Sequence, residues 1–330
     1  MKALVYTATN ETVYRDEPDP VPGEGDVLVK VAASGICGSD MHAYHGKDER
    51  RVPPLILGHE VAGTVMSGPR EGKPVVINPL MTCGRCVFCD QGYSHLCAER
   101  ELIGMRLAGA MADYVTITPR NVIEIPADMD FVEASLTEPA ATALHALNLA
   151  RMRSSRPLAE LNTLVIGGGA VGLLAALLLN MYGCHDLIVA ETHGERRRSV
   201  AKHVGCRVHD PLNDPALAAD SFDLVIDAVG GGVTRKTAMA VVKPGGIFVH
   251  IGLMDSAGEL DIRKLTLFEI TLLGVYCYTP ADMRAAAHAI ATGVLGDLSW
   301  VETRPLSEGA QAFRDLDEGR TAAAKIVLIP

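Results

Sequence analysis

The chain has 330 residues, too many for one ordinary core and well suited to two domains of roughly 100–200 residues each. Hydrophobic residues make up 48% and charged residues 21%, a balance that predicts a soluble globular fold and excludes long disorder. A net charge of −10 without any long basic run argues against nucleic acid or an anionic membrane surface as partner, so the expected ligand is a small molecule.

The start, MKALVYTATNETVYRDEP, has no apolar core of signal-peptide length, and the most apolar helical stretch, Val171 to Leu179, is far too short to span a bilayer. Of eight cysteines, four fall between Cys83 and Cys97 and one lies in GICGSD. That distribution reads as metal ligation in a reducing compartment better than as a disulfide framework, and the expected setting is cytoplasmic.

In chain order, the residues up to about 140 read as short alternating segments, among them DVLVKVAAS, PVVINPL and ADYVTITP, punctuated by Gly and Pro. They predict a largely β, irregular domain. Within it, Cys37 stands in GICGSDMHAYHG and His59-Glu60 in GHEVAG. A lone Cys is usually a small buried hydrophobe and a lone His a hydrogen-bonded residue, so neither segment is persuasive by itself.

Next comes Cys83-x2-Cys86-x2-Cys89-x7-Cys97. Four thiolates so close together can surround a tetrahedral ion and leave no open position, which describes a structural zinc. A bacterial iron–sulfur run also begins C-x2-C-x2-C, but its next gap is three residues and a Pro follows. Here the gap is seven and Ala98 follows.

Around residue 140 the texture changes. PAATALHALNLARM carries apolar residues at helical spacing, and NTLVIGGGAVGLLAALLLNMYG reads as strand, Gly-rich turn and helix. Gly167, Gly169 and Gly172 satisfy G-x-G-x-x-G in that context: Gly167 for the tight turn, Gly169 for approach of a pyrophosphate, Gly172 for close helix–strand packing. Glu191 ends the next strand, LIVAE, where an acid about 20 positions on reads the ribose hydroxyls and repels a 2′-phosphate. NAD is therefore expected over NADP. Arg196, Arg197 and Arg198 read as a solvated helix face or, with Glu191 turned away, as a clamp on a 2′-phosphate; Arg196 counts among the candidate cofactor-binding residues.

Strand-like runs then alternate with helical ones: CRVHD, FDLVIDAVG, GGIFVHIG and ITLLGVYCY, a rhythm of βαβ units and a parallel sheet. DMRAAAHAIATGVL reads as a helix and KIVLIP as a last strand. The expected architecture is α/β: a mostly β catalytic domain from 1–141 and 286–330, and a doubly wound Rossmann domain from 142–285.

Taken together, GICGSD, GHE, the four-cysteine lobe and GGGAVG occur in an order that resembles the zinc-containing medium-chain dehydrogenase/reductase family over nearly the whole chain. The resemblance implies a GroES-like fold for the β domain and a catalytic zinc surrounded by Cys37, His59 and Glu60. Glu138 of TEPAAT stands where yeast and liver alcohol dehydrogenases place a second cysteine, as in the sorbitol and threonine dehydrogenase branch. One thiolate, one imidazole and two carboxylates would overload a divalent ion with negative charge. Glu60 and Glu138 are therefore not expected to bind tightly together, and one of them is expected to accept a hydrogen bond from metal-bound water.

The implied activity is reversible oxidation of a secondary alcohol to a ketone, with the hydroxyl held as a zinc-stabilised alkoxide while hydride passes to NAD. Polyols, sugar alcohols, sugar phosphates and hydroxy-amino acids are the candidate substrates. Ser39 would pass the proton on to His42, with His45 a rival local base; Asp40 would orient the His59 ring; Thr142 would contact the nicotinamide. Tyr44 is a candidate for the substrate cleft, and Lys325 reads equally as a pyrophosphate contact or a solvated lysine. The competing readings are a non-catalytic NAD-binding protein of the same fold and a zinc-free enone or quinone reductase. A homo-dimer or homo-tetramer is expected, through the strand ITLLGVYCY at the edge of the cofactor sheet.

Overall fold

The computed structural model describes residues Met1–Pro330. Two compact units divide the chain: Met1–Ala141, Thr279–Gly293 and Val301–Pro330 form the first, Thr142–Tyr278 and Val294–Trp300 the second. The chain thus returns to the first unit at Thr279 rather than at 286, and the reason is a helix cap. Thr279 Oγ1 accepts from the Asp282 N–H at 3.1 Å while the Asp282 carboxylate accepts from the Thr279 N–H at 3.0 Å, so helix Pro280–Ala291 belongs whole to one unit. Residues Val294–Trp300 go with the second unit, where Asp297 pairs with His203 at 3.2 Å.

In the first unit, neighbouring strands run in the order Val122–Glu124, Pro74–Ile77, Glu60–Ser67, Val27–Gly35, Lys325–Ile329 and Val301–Pro305, with Tyr114–Ile117 also paired to Val27–Gly35. Strand Val27–Gly35 shows why this sequence pairs as it does. Val27, Val29, Val31 and Ala33 are buried at every second position while Lys30 is exposed, the alternation of a sheet with one covered face. Val61, Val65, Val75, Ile77 and Ile117 complete that core. A short turn over 68–73 is closed by Gly72 N–H donating to Val65 O at 2.8 Å. Gly35 and Glu60 are cross-strand partners in this register.

A second core in the same unit gathers Leu4, Tyr6, Tyr44, Leu57, Phe313 and Leu328. Tyr44 is therefore a core residue and not a cleft residue: it is 3% exposed and its ring centroid lies 5.5 Å from that of Phe313. Burial of its apolar ring outweighs any role in solvent.

The second unit is a six-stranded sheet in the order Arg207–His209, Leu187–Ala190, Thr163–Ile166, Phe222–Asp227, Val242–His250, Thr271–Gly274, parallel throughout. The direction of winding reverses beside Thr163–Ile166, the switch point at which such sheets bind dinucleotides. All four residues of that strand are buried, as are eight of the twelve in the following helix, Ala170–Met181, so sequence and burial agree on a strand and helix covered by protein. Of ITLLGVYCY, only Thr271–Gly274 is strand, and it is the sheet's edge; Cys277 then turns the chain with φ 48°. No helix is long and apolar enough to cross a membrane.

Phe313, fully buried on Tyr44, anchors helix Gly309–Asp317. Phe313→Ala is expected to cost about 3–5 kcal/mol, read as a lowered urea midpoint; a change within about 0.5 kcal/mol would show that this core does not hold the helix.

Candidate active site and metal centres

Cys37, His59 and Glu60 converge. Their ligand atoms all lie within 4.8 Å of one another. Cys37 immediately precedes helix Gly38–Tyr44, whose Asp40 carboxylate accepts from the Cys37 backbone N–H at 3.0 Å; Glu60 opens strand Glu60–Ser67 and His59 immediately precedes it. Gly35 makes the space: a side chain there would collide with the Glu60 carboxylate.

The His59 ring is set by its surroundings. Its Nδ1 lies 3.5 Å from Asp40 Oδ1, at the limit of a hydrogen bond; both atoms are buried, and the Arg51 guanidinium stands 3.9 Å from the same oxygen. Nε2 is left for a metal, with Ser39 Oγ 3.5 Å away. Burial works against a charged His59, but the negative charges of Asp40 and Cys37 outweigh it and raise its pKa well above 6.5. Burial likewise works against ionised Asp40, and His59 and Arg51 overcome it. With Asp40 beside Nδ1, Nε2 is the nitrogen that would bind a divalent ion together with Cys37 and Glu60.

Two charged residues that sequence reasoning did not place belong here. Lys325 is neither solvated nor free: it is 4% exposed, and its ammonium donates to both Glu60 oxygens at 2.6 Å and to Ile36 O at 2.8 Å. Burial pulls its pKa down, yet the charges of Glu60 and Cys37 and the bond to Glu60 raise it overall, with Glu138 adding to them. Arg51 is also buried, donating to Gly104 O at 2.9 Å, Asp48 at 2.6 Å and Ser39 Oγ at 3.1 Å. The guanidinium occupies a lone pair of the Ser39 oxygen and leaves the hydroxyl proton free to be donated elsewhere.

Glu138 is not among the three whose ligand atoms gather within 4.8 Å, but its charge reaches Lys325. It sits in the first turn of helix Thr137–Arg153, 7% exposed, and Thr142, half-buried, follows on that helix. His42 lies on helix Gly38–Tyr44 with Ser39; burial, then the charges of Lys47, His45 and Arg51, lower its pKa below 6.5. Its neighbour His45 is instead paired to Asp317 at 2.6 Å.

The cysteine lobe closes on itself. Cys97 Sγ lies 3.5 Å from Cys83 Sγ, Cys86 Sγ 3.5 Å from Cys89 Sγ, and Cys83 Sγ 3.9 Å from Cys89 Sγ. All four remain free of disulfides. The Arg85 N–H holds the Cys83 thiol down to about 7; at Cys86 the Cys89 N–H pulls the same way, but burial and the neighbouring sulfurs win and push it up to about 11. Thiols this crowded cannot all ionise unless a cation sits among them, which fits a tetrathiolate zinc.

In the second unit, Gly167 turns with φ +99°, a conformation open to glycine, and a side chain at Gly172 would strike the Gly167 carbonyl. The space where Gly169 lacks a side chain is clear for 4 Å, and the helix that starts after it has no side-chain cap. Uncapped N–H groups with room in front of them fit a pyrophosphate. Glu191 is buried and accepts from the Gly168 and His193 N–H groups at 2.8 Å each. Of the three arginines, Arg197 donates to the Glu191 and Thr192 carbonyls at 2.7 Å and pairs with Asp210 at 2.6 Å, Arg198 pairs with Glu195, and Arg196 is half-buried on the same helix.

Comparison with known proteins gives this arrangement its class. Residues 23–127 match the family model of the alcohol dehydrogenase GroES-like domain, and residues 170–292 that of zinc-binding dehydrogenase. The chain is 30% identical to L-threonine 3-dehydrogenase of Bacillus velezensis, covering 100% of this chain and 99% of the relative. It is 28% identical to L-galactonate-5-dehydrogenase of Escherichia coli K12, covering 97% and 96%. A zinc-binding dehydrogenase-type structure from Sinorhizobium meliloti 1021, bound to NADP, superposes with a TM-score of 0.90 at 28% identity, covering 100% and 99%. The chain belongs to the zinc-containing medium-chain dehydrogenase/reductase family. Within it, the chain is a zinc-type alcohol dehydrogenase, an oxidoreductase with zinc and a nicotinamide dinucleotide as its cofactors.

Cys97→Ser removes the one fully buried thiol of the lobe. Zinc content is expected to fall by about one ion per chain, with the segment 83–97 opened to proteolysis; an unchanged metal content by mass spectrometry would contradict the assignment.

Proposed function

We propose that the protein oxidises a secondary alcohol of the polyol, sugar-acid or hydroxy-amino-acid type to a ketone, reversibly, with NAD. The observation that carries this reading is the convergence of Cys37, His59 and Glu60, a three-donor set that leaves a tetrahedral ion one position for substrate. The relatives support the substrate class, since L-threonine 3-dehydrogenase and L-galactonate-5-dehydrogenase are named for reaction at interior carbons.

When bound, zinc supplies a Lewis acid that lowers the pKa of the substrate hydroxyl, and the nicotinamide supplies the hydride acceptor. The remaining work falls to the chain. Cys37, His59 and Glu60 hold the ion, and Asp40 holds the ring of His59. Glu138, outside the converging three, would accept a hydrogen bond from the water that precedes substrate at the site. Ser39 takes the hydroxyl proton and hands it towards His42, which its lowered pKa keeps neutral and ready to accept at pH 7. Thr142 contacts the nicotinamide.

Gly167, Gly169 and Gly172 shape the pyrophosphate turn, and Glu191 faces the adenosine ribose with Arg196 near it. The tie-down of Arg197 and Arg198 supports NAD over NADP, although the Sinorhizobium structure holds NADP. Four gathered free thiols support a reducing, cytoplasmic setting, and the edge strand Thr271–Gly274 supports assembly into a homo-dimer or homo-tetramer.

The test is a panel of polyols, sugar acids, sugar phosphates and hydroxy-amino acids with NAD and with NADP, following the absorbance of the reduced cofactor. Turnover with NAD on a secondary alcohol, abolished in Cys37→Ser, is expected; a zinc-replete protein that turns over none of them would return the chain to a non-catalytic role. On the best substrate, Ser39→Ala is expected to lower kcat about 10²–10⁴-fold with KM little changed; equal kcat would remove Ser39 from the proton path. For His42 the sign follows from the lowered pKa: the base is available above it and lost below. Alcohol oxidation should therefore fall on an acid limb below pH 6.5, a limb that His42→Gln should abolish; an unchanged profile would assign the limb elsewhere.

A further inference from the structure

Asp210 stands beside Glu191 at the carboxyl edge of the cofactor sheet. It follows strand Arg207–His209, whose last carbonyl accepts from the Glu191 N–H at 3.0 Å. Two acids thus end neighbouring parallel strands at the edge where such sheets take up dinucleotides. Arg197 joins them. Its guanidinium donates to the Glu191 and Thr192 carbonyls at 2.7 Å each and meets the Asp210 carboxylate at 2.6 Å. It folds back over the first turn of its own helix, Gly194–Val204, 3.6 Å from the place where a side chain on Gly194 would begin. The paired side chains are 21% and 11% exposed, so water competes little with the pairing. Asp210 stays ionised: bonds from the Asn213 side chain and the Leu212 N–H, then the charge of Arg197, outweigh burial and hold its carboxyl below the usual carboxylate range.

We propose that Asp210 is a specificity-determining residue: by holding Arg197 it withholds a cation from a 2′-phosphate and so turns NADP away. The inference rests on the NAD preference proposed above and deepens it. Glu191 repels a 2′-phosphate, and its carboxylate is fixed by the Gly168 and His193 N–H groups. To bind there, a phosphate needs a positive charge beside that acid, and Arg197 is the guanidinium bonded to the acid's own carbonyl. Asp210 cancels that charge and sets the direction of the guanidinium, which two carbonyls and a carboxylate already engage. Arg198 is no substitute, being paired with Glu195.

A salt bridge that only fastened the helix to the strand end would change stability and leave cofactor preference where it was. The experiment titrates the full zinc-loaded chain by calorimetry with adenosine 5′-monophosphate and with adenosine 2′,5′-bisphosphate, which differ only in the 2′-phosphate. The readout is the ratio of the two affinities, which a loss of folded protein leaves unmoved. Asp210→Asn keeps an acceptor for the Leu212 N–H and removes the charge that faces Arg197. It is expected to shift the ratio about tenfold towards the bisphosphate. Adding Arg197→Met removes both charges of the pair and should return the ratio to that of wild type.

An unshifted ratio in Asp210→Asn, or a gain that survives the addition of Arg197→Met, overturns the proposal. Should Asp210→Asn not fold, Arg197→Met alone decides, because it uncovers the Asp210 charge: the ratio should move further towards the monophosphate, and an unchanged or opposite shift overturns the proposal. A wild-type chain that binds neither nucleotide, or that prefers the bisphosphate, overturns the NAD preference and this inference together. A wild-type preference for the monophosphate with unshifted variants overturns this inference alone.

Discussion

Burying a carboxylate costs several kcal/mol unless it is paired, and the first unit is arranged around one that is, Glu60 with Lys325. Glu60 lies on the strand beside Val27–Gly35, and Lys325 begins the strand on that strand's other side. Between them stands Gly35, paired with Glu60 on one flank and with Val327 on the other, so the lysine reaches the carboxylate past a residue with no side chain. Breaking such a pair by removing one partner costs about 3–5 kcal/mol. The register of three neighbouring strands, the last of them 265 residues from Glu60 in sequence, is thereby tied to the position of one buried carboxylate.

Around that pair the chain sets charges of both signs with little solvent. Arg51 and His59 hold Asp40 ionised, Asp40 and Cys37 favour a cation at His59, and Arg51 reaches Ser39. Each of these groups would be expensive to bury alone, and together they leave an attraction for one more positive charge. The cysteine lobe poses the same electrostatic problem with sulfur and solves it without an open position, which is why one site suits chemistry and the other suits structure.

The parts of this molecule that were legible in the sequence are those whose physics is local. C-x2-C-x2-C brings its own geometry, and GGGAVG between an apolar strand and an apolar helix announces a turn, a close packing and an uncapped helix end within a dozen residues. The parallel sheet was legible from the alternation of strand and helix. The convergence of Cys37, His59 and Glu60 was not, because they come from separate segments and gained weight only from a family resemblance. Lys325 and Arg51 escaped because their partners are fixed by strand pairing and loop packing, although a single lysine heading the buried strand KIVLI was a signal that it pointed inward to a charge. Tyr44 looked like a cleft residue because an aromatic beside a metal motif suits either role, and only the place of Phe313 decides between them. The return of the chain at Thr279 turned on a capping box whose helix the sequence showed but whose attachment it did not.

The most direct test of the central claim follows the hydrogen itself. A secondary polyol accepted by the enzyme, carrying deuterium on the carbinol carbon, is oxidised in ordinary water with NAD, and the reduced cofactor is examined by proton NMR. Direct hydride transfer places one deuterium at nicotinamide C4 for each ketone formed. Reduced cofactor carrying solvent hydrogen at that carbon, or ketone formed without it, would contradict the account.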